Sequence, residues 1–466
     1  MLNKHTKIVC TIGPASDTVE KITSLVEAGM NVCRLNFSHG THEQHAELIK
    51  RIREVSEKTG EPLCILQDLQ GPKIRVGEMP ESGVELVAGK PIVFTSGAGE
   101  LPKKIPVTYP NLHEDVKAGQ HLLLDDGLLE VIVKSIKGDD VNCEVITGGM
   151  LKSHKGLNLP ETDTKISAIT DKDKDDIAFG VLQGVDWIAL SFVRKPEDVR
   201  ELRRLIGDPG IKVIAKMEKP EAIVNMDAII AEVDGIMVAR GDLGIEMPAE
   251  KVPVIQKELI AKCRLEGKPV IVATQMLDSM IKNPRATRAE ISDIANAVID
   301  HADATMLSGE TASGAHPIEA VKTMAATIAE TEKSKYDDVT PEMRKSNRSE
   351  VAMTNIASIL GRASNAKAIV VASLSGDSAR LVSRERPDQP IYVMTTSDRV
   401  VRQLNLSWGV RGYVVAKADT VPNLIDESIE LLKTNKLIVA GDEVVIVAGE
   451  PLGESGSVNL VELRKV

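Results

Sequence analysis

The sequence predicts an α/β protein: a (β/α)8 barrel, a small β domain inserted in one barrel loop, and a C-terminal α/β domain. Three observations carry that prediction. Eight short apolar runs alternate with amphipathic stretches, the pattern of βαβ units on a parallel sheet. Between the third and fourth runs the texture changes to Gly, Pro and short period-two alternation. After about Tyr336 the chain turns polar and charged before new apolar runs begin.

In chain order the eight runs are Ile8–Thr11, Val32–Leu35, Leu63–Leu66, Trp187–Leu190, Val213–Ala215, Ile236–Val238, Val270–Ala273 and Ala304–Leu307. The helices between them carry start signals. Thr287-Arg288-Ala289-Glu290 reads as a capping box, followed by an apolar face of Ile291, Ile294, Ala295 and Val298. In the interruption, Val141–Val145 alternates with period two and Gly138-Asp139-Asp140 supplies a hairpin turn. Beyond the polar connector come strand-like runs at Ala368–Val371, Ile391–Met394 and Val444–Val447. The expected division is barrel over 1–70 and 170–336, inserted β lid over 71–169, and C-terminal domain over 345–466.

Bulk composition excludes several classes. With 466 residues, 42% of them apolar, the chain can bury a large core and is not predicted to be disordered. Aromatics are only 2%, so Val, Ile, Leu and Ala must fill the interior. A net charge of −11 argues against nucleic acid and anionic membrane as partners. No run approaches the length that spans a bilayer and no apolar leader precedes the first strand, so a cytoplasmic location is expected. The five cysteines form no metal-type pair, and Cys10, Cys33 and Cys64 read as ordinary buried thiols.

In such a barrel the chemistry belongs where the strands end, and polar residues collect there. The second strand delivers Arg34, Asn36, Ser38 and His39; the third Asp68, with Lys73 and Arg75 just beyond. The fifth gives Lys216 and Glu218, the sixth Gly241 and Asp242, the seventh Thr274 and Gln275, the eighth Ser308 and Glu310. Two carboxylates, Glu218 and Asp242, beside Lys216 suit a hard divalent cation and a phosphate-bearing substrate. Arginine forks match phosphate oxygens, and glycine at 241 lets a substrate carboxylate approach backbone N–H groups. Lys216 is a compact charge suited to a migrating phosphoryl group. Phosphoryl transfer is the expected reaction class. Singly, each residue could instead be a structural ion pair or a cap.

Thr11-Ile12-Gly13-Pro14-Ala15-Ser16, Arg34-Leu35-Asn36-Phe37-Ser38-His39-Gly40, Met237-Val238-Ala239-Arg240-Gly241-Asp242-Leu243-Gly244, Ala273-Thr274-Gln275-Met276-Leu277 and Met306-Leu307-Ser308-Gly309-Glu310-Thr311 closely resemble pyruvate kinases. The resemblance runs from the first strand to the C-terminal domain. It implies transfer of a phosphoryl group from phosphoenolpyruvate to ADP, giving pyruvate and ATP. It further implies Mg2+ or Mn2+ on Glu218 and Asp242, with Lys216 stabilising the phosphoryl group in the transition state. Arg34 and Arg75 would hold phosphates, Gly241 and Asp242 the carboxylate end, and Thr274 would sit near the enolate being protonated. Asn36, His39, Arg75 and Lys155 match nucleotide-contacting positions. A homotetramer is implied by the resemblance alone.

One departure bears on cofactors. In many members a bound K+ is balanced through positions matching Asn36, Ser38, Asp68 and Leu69, with a glutamate in the following motif. Here that motif reads Asp68-Leu69-Gln70-Gly71-Pro72-Lys73-Ile74-Arg75-Val76, with Lys73 in the glutamate's place. The Lys73 ammonium is therefore expected to substitute for K+, which would not be required; the alternative is a solvated lid-hinge lysine. Gln44 stands where many members carry an aromatic residue near the nucleotide base.

Other clusters read differently. His39, His42 and His45 at three-residue spacing wind partly around a helix and are not expected to hold a transition metal. Asp171–Asp176 alternates charge and reads as a solvated helix start rather than a calcium loop. Ser373-Leu374-Ser375-Gly376-Asp377-Ser378 follows a strand and opens a helix, so its backbone could cradle a phosphorylated effector. It resembles the family's effector loop, with Ser373, Ser375, Gly376 and Ser378 as contacts. The final loop, Gly449–Gly456, lacks the Trp and Arg of bisphosphate-binding members. Two rival readings remain: a lyase or aldolase sharing Glu218 and Asp242 for enolate chemistry, and a silent metabolite sensor.

Overall fold

The computed structural model describes residues 4–162, 164–339, 343, 346–450 and 458–466. Its largest element is a closed barrel of eight parallel strands: Lys7–Thr11, Val32–Asn36, Cys64–Asp68, Trp187–Leu190, Lys212–Met217, Gly235–Ala239, Val270–Ala273 and Ala304–Leu307. These are the eight runs read from the sequence: three keep their bounds, the third is displaced toward its C-terminal end, and the other four are extended by one to three residues. Period-two alternation divides the strand residues between two cores. Val9, Val32, Leu66, Trp187, Ile214, Met237, Ile271 and Met306 fill the barrel interior. Ile8, Cys10, Cys33, Leu35, Ile188 and Val213 face outward against the helices. Each such fully buried aliphatic side chain contributes roughly 1.5–3 kcal/mol. All five cysteines are buried free thiols.

The capping box at Thr287 is present, Thr287 Oγ1 accepting from Glu290 N and Glu290 answering to Thr287 N. The face that helix Arg288–Ile299 buries is Ile294, Ala297 and Val298; Ile291 and Ala295 are only half-buried. The helix is tilted slightly from the expected stripe, so Ala297 takes the place assigned to Ala295.

Between the third and fourth barrel strands stands a six-stranded sheet beside a two-stranded one, sharing a core that includes Val76, Phe94, Leu122, Val131 and Val145. Strands Leu129–Lys137 and Asp140–Thr147 pair antiparallel through the hairpin at Gly138–Asp139. Two anchors tie its entry and exit to the barrel. Gly71 N donates to Asp173 Oδ1 at 3.1 Å, and Arg194 donates to the carbonyls of Thr164 (2.6 Å) and Ile166 (2.5 Å).

The C-terminal sheet has five strands in the order Val410–Val414, Ile391–Thr395, Ala368–Ala372, Glu443–Gly449, Val458–Lys465, the last antiparallel. The first and last of these were not read from the sequence. Val410-Arg411-Gly412-Tyr413-Val414 carries Arg and Gly in place of an apolar run, and the edge strand fully buries only Val458. This domain seals the barrel's N-terminal end. Leu406 joins the barrel's interior core, and Asp186 is clasped by Arg53 from the barrel and Arg402 from the C-terminal domain. Asp303, just before the eighth strand, accepts from Val270 N, Arg386 and Trp408 N. No helix among the described residues is long and apolar enough to cross a membrane.

Candidate active site

The C-terminal ends of the barrel strands bring four of the predicted residues, Arg34, Asp68, Lys216 and Glu218, into one bonded chain. Arg34 donates from Nε to Asp68 Oδ2 at 2.6 Å and from Nη1 to Thr11 Oγ1 at 2.8 Å. Asp68 Oδ1 faces Lys216 Nζ at 3.3 Å. Lys216 Nζ lies 2.9 Å from Glu218 Oε1 and donates to Ser191 Oγ at 2.8 Å. Glu218 Oε2 accepts from Phe192 N at 2.8 Å. The five barrel strands from the first to the fifth thus contribute to one buried network.

Its electrostatics follow from burial set against neighbouring charge. Burial opposes a charged Lys216, but Asp68 and Glu218 outweigh it and hold the ammonium above the ordinary lysine range. Burial also pushes Asp68 up, yet Lys216 and Arg34 prevail and keep its carboxyl below the usual range. Glu218 goes the other way: burial raises it, Lys216 only partly offsets that, and the charge of Asp242 adds to the rise. Glu218 Oε1 and Asp68 Oδ1 are buried without a well-angled hydrogen bond. A carboxylate short of positive charge, with one oxygen met only by the Lys216 ammonium and a second acid nearby, fits a hard divalent cation completed by water and substrate oxygens. Among the described residues no group of three or more His, Cys, Asp or Glu is clustered to hold a metal by protein ligands alone.

Facing this network, Gly241 N donates to Thr274 Oγ1 at 2.8 Å, and Thr274 Oγ1 donates on to Ala273 O at 2.6 Å. A substrate carboxylate reaches that N–H only by displacing the hydroxyl. Lys73 Nζ lies 3.7 Å from Asp242 Oδ1.

These residues now have relatives to be set beside. Residues 3–321 match the family model for the pyruvate kinase barrel domain, and residues 351–463 that for the pyruvate kinase alpha/beta domain. The chain belongs to the pyruvate kinase family. It is 45% identical to the pyruvate kinase of Geobacillus stearothermophilus over 100% of this chain and 81% of that one. It is 44% identical to the pyruvate kinase of a Staphylococcus aureus strain, over 99% and 80%. A crystal structure of a pyruvate kinase from Cryptosporidium parvum superposes with a TM-score of 0.91 at 37% identity, covering 99% of this chain and 96% of that one. The activity is transfer of the phosphoryl group from phosphoenolpyruvate to ADP, giving pyruvate and ATP.

Other predicted residues lie elsewhere. Arg75 donates to His154 O at 2.9 Å and Lys155 pairs with Asp125 at 2.7 Å, all within the inserted domain. Asn36 Oδ1 accepts from Ser38 N at 3.2 Å, and Leu69 O accepts from Ser191 Oγ at 2.7 Å. Glu310 is buried and accepts from Leu277 N and Ser308 N, so it ties the loops after the last two strands together. Gln44 closes a capping box with Thr41. His42 Nε2 lies 2.7 Å from Asp176 Oδ1, Lys172 Nζ meets the other oxygen, Oδ2, at 2.6 Å, and His45 stacks on Phe37. The expectation of a solvated charge run needs correcting here: Asp173 and Asp176 are buried and hold neighbouring segments. In the C-terminal domain Gly376 is left-handed and Asp377 pairs with Arg380 and accepts from Ser375. Most of Gly449–Gly456 lies outside the described residues.

Two groups went unread in the sequence. Ser191 and Phe192 follow the fourth strand, which like the first had no polar residue assigned to it; position alone could have flagged Ser191. Asn158 of the inserted domain donates to Glu246 at 2.8 Å, and Glu246 also pairs with Lys219 at 2.6 Å. That link joins sequence-distant residues and left no local signal.

Proposed function

We propose that this pyruvate kinase is Mg2+- or Mn2+-dependent and K+-independent, with Lys216 at the centre of its chemistry. The observation that carries the reading is Lys216 held charged between Asp68 and Glu218, with Asp242 nearby. Glu218 and Asp242 would hold the divalent ion, which when bound offsets charge on the anionic substrates and the developing enolate. Lys216 steadies the phosphoryl group as it moves between oxygens, a task of positioning and electrostatics. Arg34 and Arg75 bind phosphate; Gly241 and Asp242 receive the carboxylate end. Thr274 stands beside the enolate as it takes its proton. Asn36, His39, Arg75 and Lys155 contact the nucleotide once the inserted domain closes over the mouth.

Lys73 supplies the positive charge that K+ gives other members around Asn36, Ser38, Asp68 and Leu69. Its ion pair with Asp242 supports that by placing the ammonium at the edge of the site. The domains divide at 1–70 and 170–336, 71–169, and 345–466. Ser373, Ser375, Gly376 and Ser378 form a loop for a phosphorylated effector. In support, the loop ends strand Ala368–Ala372, whose neighbours were laid down in opposite directions across the sheet, the usual place for a ligand crevice. The enzyme works in the cytoplasm as a homotetramer.

The test is pyruvate formation from phosphoenolpyruvate and ADP with Mg2+, in K+-free buffer and then with K+ added. Strong turnover without K+, little changed by adding it, is expected. Turnover only with K+ removes the Lys73 role; loss of ADP dependence would favour a lyase.

A further inference from the structure

Thr274 and Gln275, which leave the seventh barrel strand, both have positive φ, 68° and 55°. Left-handed backbone is disfavoured for non-glycine residues, most of all β-branched ones. Two in succession persist only where the surroundings over-determine them.

Those surroundings converge on one guanidinium. Arg240 donates to Thr274 O at 2.8 Å and to Ala273 O at 3.3 Å, and meets Met276 Sδ at 2.8 Å. Asp293, on helix Arg288–Ile299, grips the same group with both carboxylate oxygens at 2.7 Å each. Such a fork fixes orientation as well as position. The next residue, Gly241, holds the Thr274 hydroxyl through its N–H at 2.8 Å. One dipeptide therefore grips the threonine by its carbonyl and by its side chain. Arg240 has its donors engaged within the chain, with Gln256 a further acceptor at 3.5 Å, and so offers none to a substrate.

We propose that Asp293 is a positioning residue: through Arg240 it fixes the left-handed Thr274–Gln275 turn and so the placement of the Thr274 hydroxyl during product protonation. The proposal rests on the reading of Thr274 beside the enolate. The step served is addition of one proton, drawn from solvent, to the methylene carbon of enolpyruvate. Lys216, Arg34 and Glu218 are held by a separate set of bonds, so loss of the brace should act first on the Thr274 turn, with a smaller effect on the substrate carboxylate that Gly241 and Asp242 receive.

The variants are Asp293→Asn, which keeps shape and one acceptor oxygen but loses the charge, and Thr274→Ala as the reference. In the full-length Mg2+-loaded enzyme, Asp293→Asn is expected to lower kcat about 10- to 100-fold, as small misplacements of a reacting group do. KM for ADP should stay within about twofold, and KM for phosphoenolpyruvate, whose carboxylate meets Gly241 and Asp242, should rise by much less than kcat falls. Exchange of pyruvate methyl hydrogens with D2O in the presence of ATP should fall by a similar factor, and the solvent isotope effect on kcat should rise. A purely structural role would lower the melting temperature and the folded fraction without moving the isotope effect or the KM-against-kcat split. Unchanged exchange in Asp293→Asn, with exchange lost in Thr274→Ala, overturns the brace and spares the Thr274 reading. Unchanged exchange in Thr274→Ala overturns the Thr274 reading itself.

Discussion

Lys216 Nζ lies 2.9 Å from Glu218 Oε1, so the residue proposed to meet the phosphoryl group is paired with one proposed to hold the metal. A cation arriving at Glu218 would compete for that carboxylate and release the ammonium toward substrate. Asp68, 3.3 Å away on the other side, keeps Lys216 in the mouth meanwhile.

Replacing Lys216 tests both sides of that arrangement. Lys216→Met should lower phosphoryl transfer by at least about 1,000-fold, the scale of losing a main electrostatic stabiliser. Two buried acids also lose their shared cation, so the variant should be less stable by about 3 kcal/mol. Steady-state assays and urea unfolding, with and without Mg2+, give the two numbers. Near-normal turnover would remove Lys216 from the chemistry.

Lys73→Glu should make turnover depend on added K+, since a carboxylate beside Asp242 places like charges together and calls for a counter-ion. A KCl titration, with tetramethylammonium chloride to hold ionic strength, reads the effect. An unchanged K+ response would mean that Lys73 is only a hinge lysine.

Asp303→Asn should loosen the C-terminal domain. Asp303 receives Arg386, Val270 N and Trp408 N, and the asparagine would leave the buried Arg386 without its counter-charge at a cost of about 3–5 kcal/mol. The drop should appear as a lower urea midpoint or a second transition. The network around Lys216 lies at the opposite end of the barrel, so KM for phosphoenolpyruvate should hold.

Alkaline pH should stabilise the fold through two buried lysines. Burial lowers Lys4 to about 7 and Lys7 to about 8, against an ordinary value of 10.5, despite Glu332 nearby. The unfolded chain then binds more protons than the folded one between those values and 10.5. Stability therefore rises with pH across that window, by at most about 1.4 kcal/mol per unit for each lysine. Lys7→Met should flatten the rise seen in urea midpoints from pH 7.5 to 9.5. An equal slope in the variant would mean that Lys7 stays protonated, held by its bond to Val410 O.

The barrel was legible because each strand is a short apolar run with a fixed period, and closure follows once eight are counted. Arg34, Asp68, Lys216 and Glu218 were legible because they end such runs, and they do meet. Strand Val410–Val414 was not, because Arg411 pairs with Glu61 across to the barrel, a contact no local pattern reports. Asp173 and Asp176 misled for the same reason. Their sequence reads as solvated charge, while Gly71 and His42, over a hundred residues earlier, supply the partners that let them be buried. The Gln44 side chain closes a capping box with Thr41, a local pairing legible in the sequence had the helix start been sought there.

The clasp of Asp186 by one arginine from each domain bears on how this chain could change over generations. A gene shortened to the barrel alone would strip Arg402 from Asp186 and Arg386 from Asp303 at once, and uncover Leu406's seat in the floor. Water could then solvate both acids, and Asp186 keeps Arg53, so the uncovered apolar floor is the larger cost. The C-terminal domain thereby doubles as the barrel's floor, so a chain that made no regulatory use of it would still need it to close the core.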